Sequence, residues 1–230
     1  MNRMKANERL HARATFARMA RDTKPYAIKV LGKIIPVLPG VFSPRYFSDV
    51  EWFAKKIPKI VDDRSFLEIG TGTGVISLFV AINGSKNIIA TDINRSAVKN
   101  ARKTFRAHGL SIPVRAGNVF APIRAGGKFD VIFWNHPFHF SDTKPKTILE
   151  SGGYDYRYKS VRTFFAGAKN HLTDGGEVLL GTSKNARLDL IRSFARQYGY
   201  KCKLIKKANI ASAHRRQIKL DVRIYSFRPR

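Results

Sequence analysis

"SFLEIGTGTGVISLFVAINGSKNIIATDI", Ser65 to Ile93, decides the architecture of this chain. Its first six residues read as a buried strand, and "TGVISLFVAING" predicts a helix that ends at Gly84. "NIIATDI" (87–93) is a second strand. Between the first strand and the helix lie Gly70, Gly72 and Gly74, which let the backbone turn tightly and approach a ligand without side chains in the way. Such a turn by itself would also suit a dinucleotide.

The same alternation continues outward. "RSAVKNARKTFRAHG" places Ala97, Val98, Ala101 and Phe105 on one helical face and stops at Gly109. "PVRAGN" and "FDVIFWN" supply a third and a fourth strand, "YKSVRTFFAGAKNHL" a helix and "GEVLLGTS" a fifth strand. Strand and helix in alternation imply parallel strands joined by right-handed crossovers, a doubly wound α/β sheet. The rhythm breaks after "ARLDLIRSFARQYG", where "KCKLIKKA" and "IKLDVRIYSF" come one after the other as an antiparallel pair that completes seven strands.

Composition narrows the function classes. The 230 residues suffice for one globular domain with an extension. Forty-three Lys and Arg against 16 Asp and Glu leave a net charge of +27, which points to a polyanionic partner. Residues 1–60 carry 13 basic and 4 acidic side chains, 61–140 carry 10 and 5, and 141–230 carry 20 and 7, so the excess sits at the two ends. The single cysteine, Cys202, excludes an internal disulfide and a thiolate zinc cluster, and is expected in the core. Carboxylates and histidines do not cluster at ligand spacing, so no metal is expected. No apolar run reaches the roughly 20 residues of a membrane span. The expected location is the cytoplasm, although the Arg-rich, acid-poor N-terminus leaves mitochondrial import open. That N-terminus is read as a basic helical arm with a thin apolar face of Leu10, Ala14, Phe16 and Ala17.

In an open sheet of this kind, ligands bind beyond the carboxyl ends of the strands at the point where strand order reverses. Asp92 ends the second strand 18 residues after Gly74, where a carboxylate can take both hydroxyls of a ribose; its alternative role is a helix N-cap, which Asn94 could serve equally well. The fourth strand ends in Asn135-His136-Pro137-Phe138. These are ordinary turn residues, standing at the carboxyl end of a strand as the glycine turn does.

Taken together, these residues resemble the class I S-adenosylmethionine-dependent methyltransferases, and within them the methyltransferase small-domain superfamily. "FLEIGTGTGVISL" is similar to the first cofactor motif, "ATDIN" to the ribose-binding acidic motif, "AGNVF" to the segment beside the adenine, and "FDVIFWNHPF" to the Asn-Pro-Pro-(Tyr/Phe) active-site motif. "LPGVFSPRYF" (38–47) resembles the segment that precedes the cofactor site, while "ESGGYDY" and "HLTDGGEVLL" resemble the segments downstream of the active site in release-factor glutamine methyltransferases. The resemblance covers about residues 36 to 228, which sets a basic arm over 1–35 and a Rossmann-like methyltransferase domain over 36–230. Two positions depart from the pattern: His136 stands where the family usually has proline, and Asn118 where it usually has aspartate.

The resemblance implies S-adenosylmethionine as cofactor, held by Glu68, Gly70, Thr71, Gly72, Gly74, Asp92, Ile93, Asn118, Val119 and Asn135. Glu68 would contact the methionine amino group or order the glycine loop. Catalysis would fall to Asn135, His136, Pro137 and Phe138. The Asn135 side-chain oxygen and the backbone carbonyl of residue 136 would accept the two N–H bonds of a planar nitrogen and draw its lone pair out of conjugation, while Phe138 stacks on the attached ring. Neither His136 nor His139 is needed as a general base. The charge favours an exocyclic amine of RNA or a ribosomal particle as acceptor. A glutamine amide of a translation factor, a small molecule, and a non-catalytic nucleic-acid-binding module with a vestigial fold are the other readings. Removing residues 1–24, which carry Arg9, Arg13, Arg18 and Arg21, is expected to weaken RNA binding and to leave cofactor binding intact; Lys206, Lys207, Arg215 and Arg216 are the basic candidates at the other end.

Overall fold

The computed structural model describes residues 13–211 and 219–230. Residues 13–19 are helical. A hairpin of β1 (Tyr26–Val30) and β2 (Lys33–Val37) leads to helix α1 (Asp49–Val61). The alternating part comes next: β3 (Phe66–Ile69), α2 (Val75–Ile82), β4 (Ile88–Asp92), α3 (Arg95–Ala107), β5 (Val114–Ala116) and β6 (Phe129–Asn135). Two short strands, β7 (His139–Ser141) and β8 (Tyr154–Tyr156), pair in parallel outside the main sheet. Helix α4 (Lys159–Ala168), β9 (Leu172–Ser183), α5 (Leu188–Gln197), β10 (Tyr200–Ala211) and β11 (Lys219–Pro229) complete the chain.

The main sheet has seven strands in the order β10-β11-β9-β6-β3-β4-β5. Its periodicity is visible in β3, whose Phe66 enters one apolar cluster while Leu67 and Ile69 enter the other. The first cluster gathers side chains of α1, α2 and α3, and the second those of α4 and α5, so helices cover both faces and all four residues of β3 are buried. Helix α3 has the expected stripe, with Ala97, Val98, Ala101 and Phe105 inward.

Several boundaries differ from those expected. The second helix ends at Ile82, two residues before Gly84, whose φ of 119° closes the turn. Strand β9 begins at Leu172 rather than at Gly176, because a register shift against β6 carries it through the glycine pair. The two C-terminal strands are antiparallel as expected, but the later one is inserted: β11 lies between β9 and β10 and runs against both. Strand β10 is therefore the sheet edge, and only Tyr200 of its residues is buried. For that reason Cys202, expected in the core, is exposed. The boundary drawn at residue 35 falls inside the β1–β2 hairpin, whose Val30 and Ile35 belong to the first cluster.

The order of the strands reverses at β3 and β6. From β3 the chain moves outward through β4 and β5, then returns to lay β6 on the other side of β3 in parallel. The carboxyl ends of β3 and β6 thus stand side by side, with Ile69 opposite Trp134, and the loops beyond them enclose a crevice.

Candidate active site

The glycine turn is shaped by close packing as well as by its dihedrals. Gly70 has φ 67°, and a Cβ there would lie 3.1 Å from the indole nitrogen of Trp134. Gly74, at φ 86°, is pressed against α3, where a Cβ would meet Phe105 at 3.0 Å and the Cα of Ala101 at 3.1 Å. Gly74 therefore faces the protein interior; it fixes the approach of α2 to α3 and is absent from the cavity wall, in contrast to Gly70, Thr71 and Gly72.

Glu68 braces this turn from beneath. Its Oε2 accepts hydrogen bonds from Thr71 Oγ1 at 2.7 Å, Ser77 Oγ at 2.5 Å and the Ser77 amide at 3.2 Å. Burial pushes its carboxyl up to about 7, with the Ser77 and Thr71 bonds working in the opposite direction. Of the two roles expected for Glu68, ordering the loop is the one these contacts supply.

Asp92 is nine-tenths buried at the end of β4 and lines the crevice. Its Oδ2 accepts from the Gly72 amide at 2.9 Å and its Oδ1 from the Asn94 amide at 2.8 Å, so each oxygen keeps a lone pair for a further donor. Desolvation raises its pKa, and those two amides together with that of Ile93 lower it. The helix cap falls to Asn94, which accepts from the Ser96 amide at 2.9 Å. Beside Asp92, Ile93 is 51% exposed, an apolar side chain held in the open at the rim. Val119 is buried at φ 46°, an unusual conformation for a β-branched residue, and with the exposed Asn118 it forms the opposite rim.

At the end of β6, Asn135 donates from Nδ2 to Asp49 Oδ2 at 3.1 Å. Its Oδ1 is buried with no hydrogen-bond partner, a condition that costs about 1–3 kcal/mol until a donor arrives. His136 is buried, with Nε2 2.9 Å from Thr182 Oγ1 and edge-to-face contacts to Trp134, Phe138 and Tyr158. Burial drives its pKa down to about 3, which keeps the ring neutral and makes it a poor proton acceptor. Pro137 and the half-buried Phe138 continue the wall. The Phe138 carbonyl accepts from Tyr158 Oη at 2.7 Å, and Tyr158 in turn accepts from the Arg187 amide at 3.1 Å.

These groups surround one cavity of about 670 Å³. Glu68, Gly70, Thr71, Gly72, Asp92, Ile93, Asn118, Val119 and the Asn135–Phe138 turn all line it. Sequence reasoning missed three other contributors. Asp49 lines it from the first turn of α1, just beyond the segment singled out; Tyr158, just past "ESGGYDY", is buried behind the wall and holds the Phe138 carbonyl; and Phe16, read as part of a thin face on a basic arm, packs with Phe42, Phe47 and Tyr154 at ring separations of 5.7–6.0 Å to build the outer wall. Lys144, Lys146 and Lys159 are the cationic side chains of the wall. Arg13, Arg18, Arg21, Lys206 and Lys207 are exposed and do not line the cavity; Arg9, Arg215 and Arg216 lie outside the described residues. Among the described residues no three His, Cys, Asp or Glu side chains are grouped to hold a metal ion, and no helix is long and apolar enough to cross a membrane.

Residues 33–209 match the methyltransferase small domain family. The ribosomal RNA small subunit methyltransferase C of Mannheimia succiniciproducens is 33% identical over 160 residues, 67% of this chain and 43% of that protein. A protein of Methanocaldococcus jannaschii named as a protein N5-glutamine methyltransferase is 36% identical over 123 residues, 51% of this chain and 61% of that one. The chain thus spans less than two thirds of the length of these curated relatives. Among solved structures, the T. thermophilus 16S rRNA N2 G1207 methyltransferase in complex with AdoMet and guanosine superposes with a TM-score of 0.63 at 19% identity, covering 90% of this chain and 50% of that one, a likeness of fold.

Proposed function

We propose that this chain, which belongs to the methyltransferase small domain family, is an S-adenosylmethionine-dependent N-methyltransferase whose acceptor is an exocyclic base amine in RNA. The observation that carries this reading is Asn135, which lines the same cavity as Asp92 and the glycine turn and whose Oδ1 is buried without a hydrogen-bond partner. An acceptor held without a donor suits an amine that brings one.

The residues present fit the cofactor. Gly70 and Gly72 leave backbone open along the cavity floor, Asp92 keeps acceptor capacity for the ribose hydroxyls, and exposed Ile93 with Val119 offers apolar surface for the adenine. Asn118 can accept from the adenine amino group through its amide oxygen, as aspartate would. S-adenosylmethionine supplies an electrophilic methyl group on a sulfonium.

The chain has the opposite task, which is to make a conjugated nitrogen nucleophilic. Asn135 Oδ1 accepts one N–H of the amine and the His136 backbone carbonyl the other, an arrangement that favours the pyramidal nitrogen over the planar one. Phe138 stacks on the base, with its carbonyl tethered by Tyr158. The neutral His136 ring serves packing, and replacing proline by His136 leaves the backbone acceptor in place.

RNA as acceptor is supported by the net charge of +27 and by the relatives named for ribosomal RNA. The N-terminal segment with Arg13, Arg18 and Arg21, together with Lys206 and Lys207 on β10, would then contact phosphates outside the cavity. The test is transfer of isotopically labelled methyl to naked ribosomal RNA, ribosomal subunits and a ribosome-free protein fraction, with mass spectrometry of nucleosides and amino acids as the readout. Label in an N-methylated base, lost steeply with added salt, supports the reading. Label in glutamine alone overturns the RNA acceptor, and failure to bind the cofactor overturns the enzyme.

A further inference from the structure

We infer that Asp49 is the positioning residue of the transfer step: it sets which way the Asn135 carboxamide faces, so that Oδ1 and not Nδ2 is offered to the acceptor amine. The role rests on the methyl-transfer reading above, whereas the pairing of the two side chains does not.

A carboxamide is nearly symmetric in shape but opposite in polarity at its two ends, so packing alone does not choose its orientation. Hydrogen-bond partners choose it. Burial raises the Asp49 pKa, against which the Asn135 N–H and the backbone amides of Asp49 and Val50 favour the anion. The ionised carboxylate has no proton to give, and in that form the 3.1 Å contact between Asp49 Oδ2 and Asn135 Nδ2 is compatible with one orientation only. Turned over, Asn135 would set an oxygen against the carboxylate and present N–H groups to an amine that is itself a donor. Asp49 suits this task because it occupies the first turn of α1, where the helix N-terminus favours a negative charge. Its side chain is buried, so water does not compete for the carboxamide.

The other end of Asn135 is shaped as well. Gly181 of β9 is its register partner, and a Cβ at that position would lie 3.2 Å from Asn135 Oδ1 and 2.9 Å from Phe53 Cζ. Three elements therefore converge on one amide: α1 supplies the acceptor, β6 the amide, and β9 the space beside its oxygen. Asp49 and Asn135 are 86 residues apart in sequence, and this convergence is a product of the fold.

The test uses Asp49→Asn, which keeps the size of the side chain and can hydrogen-bond Asn135 in either sense. Cofactor affinity by calorimetry and the thermal midpoint should stay near those of the unsubstituted protein, while single-turnover methyl transfer falls at least tenfold with little change in KM. The Asp49→Asn, Asn135→Ala double variant should be no slower than Asn135→Ala alone, because both act on one acceptor. In the unsubstituted protein, a through-hydrogen-bond NMR coupling should link the Asn135 amide nitrogen to the Asp49 carboxylate carbon. An absent coupling, an undiminished rate in Asp49→Asn, or full additivity in the double variant would each overturn the inference. If the unsubstituted protein methylates no acceptor, the function and this role fall together, while the coupling still decides the pairing.

Discussion

Phe16 lies against the backbone of Gly153 so closely that a Cβ at 153 would sit 2.3 Å from Phe16 Cζ and 2.6 Å from Cε2. With Met19 and Leu149, Phe16 forms a small buried cluster at the cavity's outer wall. The N-terminal helix is thus keyed onto the site, which revises the expectation that residues 1–24 can be removed without touching the cofactor. Their deletion should weaken S-adenosylmethionine binding as well as RNA binding. Gly153→Ala, by forcing the ring out, should cost about 1–3 kcal/mol and lower the thermal midpoint by several degrees. Calorimetry on the deletion and a melting curve of the point variant check this; unchanged cofactor affinity in the deletion restores the free arm.

Asp92→Ala should weaken cofactor binding by about 1.5–3 kcal/mol, the range for losing hydrogen bonds to a charged acceptor. Asn94→Ala is the control. It removes the helix cap at a cost of about 1 kcal/mol of stability and should leave affinity nearly untouched. Equal affinity in the Asp92 variant would sink the ribose assignment.

Asn135→Ala removes an acceptor engaged fully only as the amine rehybridises. Turnover should fall on the order of a hundredfold or more, with cofactor affinity hardly changed. Pre-steady-state transfer rates and cofactor titration separate the two effects, and a normal transfer rate would reduce the Asn135–Phe138 segment to a turn.

Glu68 makes stability depend on pH with a definite sign. Its carboxyl is raised from 4.5 to about 7 in the folded protein, so between those values the native state holds a proton that the unfolded chain has released. Stability should therefore decline as pH rises through that window, by about 3 kcal/mol from this group, and level off above it. Urea unfolding at a series of pH values, compared with Glu68→Gln, isolates the contribution. If the difference between the two proteins does not vary with pH, Glu68 is not the group responsible.

Much of the site was legible because its signals are local. Gly70 and Gly72 announce a turn by residue type, Asp92 announces itself by spacing at a strand end, and Asn135 to Phe138 by their place after an apolar run. Asp49 and Tyr158 carried no such mark. An aspartate in a first helical turn is commonplace, and a tyrosine beside a helix is ordinary core material. Cys202 was misplaced because an edge strand and a buried strand look alike over a few residues, and only the neighbours decide which faces are covered.

The alternation of strands and helices, the glycine turn and the residue types at each strand end follow from the order of residues, since backbone propensity and side-chain periodicity act over a few neighbouring positions. Tertiary structure alone decided that β11 slips between β9 and β10, that Phe16 seals the cavity wall, and that Asp49 reaches Asn135. Those outcomes depend on which apolar faces are buried together and on which distant polar groups can satisfy one another, and a sheet's order settles both at once.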